Sequence, residues 1–257
     1  MEGADRRVAI VTGGSSGIGA AALAMFRAKG WNAISFSRRE GVDATDRAAL
    51  SAAVEKTVSD FGRIDAIVNN AGSGIFGASE RADAGEVGRL FDLNFNAALA
   101  LSSLAIPHMR RRGCGRIINV ASAAAIFPLP FQSVYSASKA ALLAWTRALD
   151  WEVRRFGIRA TAVCPGDVRT GFTAARTPSL DGDDEYGGAI AKALAKANAA
   201  ENGGQDPSVA ARAIVRAATC RNPPLVVVPG AGYAWLDRLS RLLPRAWVSA
   251  AVGRIYS

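Results

Sequence analysis

Short apolar runs alternate with longer segments of helical period along this chain of 257 residues. The runs are VAIVTG from residue 8, WNAISFS from 31, IDAIVNNAG from 64, GRIINVAS from 115, IRATAVCPG from 158 and LVVVPG from 225. Each is apolar almost without interruption, the pattern of a strand covered on both faces. Between them, apolar positions recur at spacings of three and four over 18–29, 46–61, 84–112, 136–156 and 207–220, which predicts helices, with Gly157 as a C-terminal stop. Strands that alternate with helices predict an α/β fold built on a doubly wound parallel sheet.

Two segments fall outside that rhythm. The stretch 169–206 is rich in Gly, Asp, Asn and Ala and has no strand character. It reads as an insertion or lid following a strand end, where ligands bind in such sheets. Residues 233–257 read as a helical extension of a single domain whose main body is 1–232. In it, Trp235, Leu236, Leu239, Leu242 and Leu243 share one helical face, with Asp237, Arg238, Ser240 and Arg241 on the other. Pro244 breaks the pattern, and Trp247, Val248, Ala251 and Ile255 begin a second amphipathic segment. Two short helices joined at a bend are expected. Their apolar faces have three destinations: the parent domain beside the lid, another subunit, or an anionic membrane surface with arginines at the headgroups. Packing or pairing is favoured, because amphipathic helices of soluble domains mostly serve cores and interfaces.

Composition narrows the class. Half the residues are apolar, yet no run of about 18 is free of strongly polar residues, so a spanning helix is not expected. The first apolar run ends in a glycine turn rather than a signal-peptide cleavage site, which makes the cytoplasm the default location. Cys114, Cys164 and Cys220 are odd in number and widely spaced, which argues against a disulfide framework or a zinc site. The net charge of +9 is scattered; its densest clusters, at 38–40 and 110–113, lack interleaved aromatics, so nucleic acid is not an expected partner. His108 is the only histidine, at a helix end without companions at ligand spacing; it reads as structural, and no metal is expected.

Three motifs carry chemistry. TGGSSGIG at 12–19 joins the first strand to the first helix, where Gly13, Gly17 and Gly19 permit a tight turn, close approach of backbone to a pyrophosphate, and helix–sheet packing. A bare structural turn is the competing reading. NNAG at 69–72 ends the third run. Tyr135 and Lys139 stand four apart at the start of an Ala- and Leu-rich helix, so their side chains are neighbours. By themselves they are either a surface pair or an acid catalyst with a cation beside it.

Taken together, TGGSSGIG, NNAG, Tyr135-x-x-x-Lys139, Asn94 in DLNFNAA, Ser122 in NVASAAA and PGDVRTGF at 165–172 resemble the short-chain dehydrogenase/reductase family over about residues 7–229. The resemblance implies a Rossmann-like, nicotinamide-dependent oxidoreductase acting on CH–OH or C=O groups. Tyr135 would exchange a proton with the substrate oxygen, Lys139 would favour phenolate and hold the nicotinamide ribose, Ser122 would orient the substrate oxygen, and Asn94 would hold a water linking Lys139 to solvent. The same resemblance implies cofactor contacts from Gly13, Ser15, Ser16, Gly17, Ile18 and Gly19, from Asn70, Ala71 and Gly72, and from Pro165, Gly166, Val168 and Thr170, with Asp43 near the adenine amine. At the selector position after the second run stand Ser37 and Arg38, with Arg39 adjacent and no acid, so NADP(H) is expected over NAD(H).

Between Ser122 and Tyr135, the residues Ile126, Phe127, Leu129 and Phe131, joined by Phe172, are expected to wall an apolar pocket for a hydrophobic ketone or secondary alcohol. Helices around 84–112 and 136–156 resemble the family's usual dimer pair, implying a homo-oligomer. The reading from another class is a dinucleotide-binding regulator or scaffold without turnover, whose mark would be a broken Tyr–Lys pair.

Overall fold

The computed structural model describes residues 6–172 and 176–256. Six strands form one parallel sheet: β1 (Val8–Thr12), β2 (Asn32–Phe36), β3 (Ala66–Asn69), β5 (Gly115–Val120), β6 (Ile158–Val163) and β8 (Val226–Val227). Their order is β2-β1-β3-β5-β6-β8, reversing direction of growth between β1 and β3, the doubly wound arrangement. Each predicted run supplies one of these strands.

Strand alternation separates two buried layers. Ala9, Val11, Ala66, Val68, Ile118 and Val120 pack with Leu23 and Phe26 of α1 (Gly17–Ala28) and Ile214 and Val215 of α7 (Pro207–Thr219). The intervening Ile10, Ile67 and Ile117 face the opposite layer. There they meet α2 (Arg47–Phe61), α4 (Ala97–Arg112) and α5 (Ser133–Val153) through Leu50, Leu101, Met109 and Leu149. Neighbours two apart on one strand therefore bury against the same layer, and a one-residue slip would exchange them.

The predicted helix 84–112 is one continuous path in three parts: α3 (Ala84–Phe91), a π turn at Asp92–Asn96, and α4. By length and composition alone this path could cross a membrane. Here it forms part of the layer packed on β3 and β5.

The 169–206 segment departs from expectation. It contains a strand, β7 (Arg176–Pro178), paired in parallel with β4 (Gly74–Phe76), and a helix, α6 (Ala189–Asn202). A three-residue strand has too few positions to show a period, and its partner lies about a hundred residues upstream. Residues 173–175 of this segment lie outside the described part. Ile190, Ala193 and Ala197 of α6 pack against Phe76 beneath the β4–β7 pair.

The extension forms α8 (Ala231–Ser240) and α9 (Arg245–Tyr256), joined at the expected bend around Pro244. Of the destinations open to their apolar face, packing on the parent domain holds only in part: Leu239 and Val248 are half-buried, while Trp235, Leu236, Leu242 and Leu243 face outward and Asp237 is buried. An acid paired at close range with Arg241, 2.6 Å away, tolerates the inner position.

Candidate active site

The carboxyl ends of β1, β3, β5 and β6 open into a cleft of about 820 Å³. At one end β1 runs into the glycine turn. Gly13 has φ +64°, and a Cβ there would meet Ala71 Cα and the Asn70 side chain at 3.1 Å; at Gly19 it would lie 2.3 Å from the Gly13 carbonyl oxygen. Only glycine permits this turn to press against β3 and α1. Asn70 Nδ2 donates to the carbonyls of Thr12 (3.0 Å) and Gly13 (3.3 Å), and Thr12 Oγ1 accepts the backbone N–H groups of Asn70 and Ala71. Ser16, the N-cap of α1, makes no side-chain cap bond, so the first N–H groups of that helix face the cleft with their partial positive charge. An uncapped helix start behind a turn with no room for side chains fits the pyrophosphate of a dinucleotide.

The β2 end is more complex than the sequence implied. Ser37, Arg38, Val42, Asp43, Ala44 and Thr45 line the cleft, whereas Arg39 points to solvent outside its wall. A short 3-10 turn, Arg38–Glu40, folds the Glu40 carboxylate back onto the hydroxyls of Ser37 and Ser35, the latter at 3.0 Å. An acid does therefore stand at this strand end, displaced by three residues and tied to serines. Sequence inspection passed over it because the fold, not the spacing, brings it back. Asp43 accepts bonds from Thr45 N (2.9 Å) and Thr45 Oγ1 (2.8 Å), which hold its carboxyl below the usual range.

Tyr135 and Lys139 lie one turn apart on α5, 8% and 4% exposed, and both line the cleft. Burial pushes the Tyr135 phenol upward, opposed by a hydrogen bond from Ser122 and by the positive charge of Arg176. Its ring centroid is 5.6 Å from that of Phe172. Lys139 Nζ donates to the Val120 carbonyl at 3.0 Å, and burial pulls it down to about 8. The Lys139 ammonium thus also reaches the end of β5, and the groups that pull the phenol towards phenolate include Ser122 and Arg176.

Ser122 caps the 3-10 turn Ala123–Ala125, accepting from Ala124 N at 3.1 Å, which leaves its own proton free to donate. Asn94 lies in the π turn and is 1% exposed, behind the cleft wall rather than on it. Its Oδ1 accepts from Ser73 N (2.9 Å), and its Nδ2 donates to Ser73 O and Ser138 Oγ (both 3.0 Å), tying the β3 exit loop to α5. A Cβ on Gly72 would touch both Asn94 Oδ1 (3.0 Å) and Lys139 Nζ (3.2 Å), so this glycine lets the two groups approach.

The loop after β6 closes the far wall with Pro165, Gly166, Val168, Thr170 and Phe172; Ala123 N donates to Pro165 O at 2.7 Å. Of the expected substrate wall, Phe127 and Leu129 line the cleft. Ile126 instead packs in the core behind Ala121 and Leu142, and Phe131, at φ +59°, stacks between Phe76 and Tyr186. The sequence also missed Arg176, Glu201 and Tyr233. Arg176 is buried and hydrogen-bonded to Glu201, which with Ala197 lines the cleft from α6. Tyr233 of α8 donates to the Asp167 carboxylate and accepts from Asp167 N at 3.2 Å. No short-range signal marks them, since their partners lie on other elements. His108 lies outside the cleft, 2.7 Å from Arg111 and 3.7 Å from Glu55.

A model of the short chain dehydrogenase family matches residues 40–181. The 3-ketodihydrosphingosine reductase of Bacteroides thetaiotaomicron is 34% identical over 230 residues, 85% of this chain and 86% of that protein. The chain belongs to the short-chain dehydrogenase/reductase family. Among solved structures, a short-chain dehydrogenase from Streptomyces avermitilis aligns at a TM-score of 0.81 and 28% identity over 96% of each chain. Two at lower identity share the fold: ElxO with NADP bound (TM-score 0.74, 22%, 90% of this chain and 99% of that one) and a Burkholderia phymatum enzyme in complex with NAD (0.77, 21%, 94% and 95%). The family is one of oxidoreductases, and these two fold relatives were solved with NADP and with NAD.

Proposed function

We propose that this chain is an NADP(H)-preferring reductase of hydrophobic ketones, with Tyr135 as the proton donor. The observation that carries the reading is a buried phenol lining the cleft, with Ser122 beside it and an apolar wall of Phe127, Leu129 and Phe172 before it. In the reductive direction the neutral phenol is the form that donates. A nicotinamide bound in the cleft supplies the hydride for the carbonyl carbon. Tyr135 gives its proton to the carbonyl oxygen, Ser122 donates its hydroxyl proton to that oxygen and orients it, and the phenolate left behind is stabilised by the cationic side chains of Arg176 and Lys139. Lys139, one turn along α5, places a cation on the cleft wall, suited to ribose hydroxyls.

The glycine turn and the start of α1 would hold the pyrophosphate, Asn70, Ala71 and Gly72 the adjoining ribose side, and Ser37 and Arg38 a 2′-phosphate. The Glu40 carboxylate beside Ser37 works against that last contact, so the preference rests on Arg38. The curated relative reduces 3-ketodihydrosphingosine by name, and a long-chain ketone suits a cleft walled by Phe127, Leu129 and Phe172. Nicotinamide absorbance with NADPH or NADH and a panel of ketones graded by chain length tests this. Faster NADPH turnover with increasing chain length is expected; tight NADPH binding with no turnover of any member would refute it in favour of the regulator.

A further inference from the structure

The outer face of α8 and α9 is apolar and rimmed by arginine. Trp235 (62%) and Trp247 (68%) are largely exposed, together with Leu236, Leu242, Leu243 and Ile255. Six of the ten large exposed apolar side chains among the described residues thus fall in one short stretch, a concentration that monomeric surfaces rarely show. Arg238, Arg241, Arg245 and Arg254 are exposed around them, and Asp237, the only acid from 231 to 256, is turned inward and paired with Arg241.

The helices that carry this face border the cleft on their other side. Tyr233, on the same helix as Trp235, lines it, and Lys196 Nζ of α6 donates to the Ile255 carbonyl at 2.7 Å, tying α9 to the helix that carries Ala197 and Glu201.

We propose that α8 and α9 form a docking surface for an anionic phospholipid bilayer. Tryptophan and leucine enter the boundary between headgroups and acyl chains, and Arg238, Arg245 and Arg254 meet lipid phosphates. Charge decides between this occupant and a second copy of the chain. Two such faces would bring arginine against arginine, with no exposed acid on either to receive them, whereas an anionic leaflet supplies the missing charge to both. Docking there brings the helices that border the cleft to the bilayer, where a long-chain ketone resides. The docking itself does not depend on the catalytic reading, because it is measured as binding.

The test mixes the purified full-length chain with phosphatidylcholine vesicles, with or without phosphatidylglycerol. Binding is read by flotation and by tryptophan emission, and molecular mass is read by light scattering without lipid. Binding to the phosphatidylglycerol vesicles, with a blue shift that weakens at high salt, is expected. The double variant Trp235→Glu/Trp247→Glu should lose binding while mass, melting temperature and turnover of a short soluble ketone stay unchanged. Arg238→Gln and Arg245→Gln, which leave the apolar face intact, should each weaken binding about fivefold. Wild-type protein that ignores phosphatidylglycerol vesicles would overturn the proposal. So would a tryptophan double variant whose mass falls, since the face would then join two copies of the chain.

Discussion

Replacing Lys139 by methionine should stabilise the cofactor-free protein while destroying its activity. The ammonium is 4% exposed, and its one described bond is to the Val120 carbonyl at 3.0 Å. Burial draws the group from 10.5 to about 8, which costs the folded state about 3 kcal/mol when the lysine is charged. Methionine keeps most of the apolar stem and removes the charge, but leaves the Val120 carbonyl without that donor, a loss of about 1 kcal/mol. A net gain of about 2 kcal/mol follows, or about 4–8 °C in Tm for a chain of this size. The sign with pH follows from linkage. Below the folded value near 8 both states carry the proton and the wild type bears the whole penalty. Between that value and 10.5 the folded protein releases the proton while the unfolded chain keeps it, so wild-type stability rises and the advantage of methionine shrinks. Scanning fluorimetry from about pH 6.5 to 9.5 reads both the gain and its decline. NADPH should raise the Tm of the wild type more than that of the variant, since the proposed ribose contact is lost. A variant no more stable than wild type at neutral pH, or one whose advantage grows with pH, would refute the argument.

Three further outcomes are expected. Tyr135→Phe should lower kcat by about 10²- to 10⁴-fold with NADPH affinity by fluorescence titration little changed, because only the proton donor is lost; near wild-type kcat would refute its role. Arg38→Asp should erase an NADPH preference of about ten- to hundredfold in kcat/KM, while Glu40→Gln, which removes the anion beside Ser37, should lower the KM for NADPH severalfold; equal kcat/KM for the two cofactors in the parent enzyme would contradict the assignment of Arg38. Asp150, fully buried at the junction of α5 and β6, is pushed up by burial but held down overall by Arg159 at 2.8 Å, Arg154 at 2.5 Å and the Ala160 N–H at 2.9 Å. Asp150→Asn should cost about 3 kcal/mol by denaturant titration near neutrality. Because the folded carboxyl lies below 3.8, that difference should persist to mild acid and vanish only as pH falls through the folded value.

Much of this architecture is written locally. A buried parallel strand is a short unbroken apolar run, and the runs at 8, 31, 64, 115 and 158 could be read without knowing their neighbours. The glycine turn was legible for the same reason, since its φ angles and its close contact with β3 forbid side chains, and so was the Tyr135–Lys139 pair, which a helix places together wherever it packs. What escaped were features whose cause lies on another element. The strands β4 and β7 exist only because Gly74–Phe76 and Arg176–Pro178 meet across the fold. Glu40 reaches Ser37 through a turn, Arg176 acquires a buried partner in Glu201, and Lys139 reaches the Val120 carbonyl. The last two helices show the division most plainly. Their period, their bend and their two faces follow from side-chain order along the chain. Which face is covered was decided by tertiary packing, where one buried Asp237 with Arg241 beside it left tryptophan and leucine at the surface.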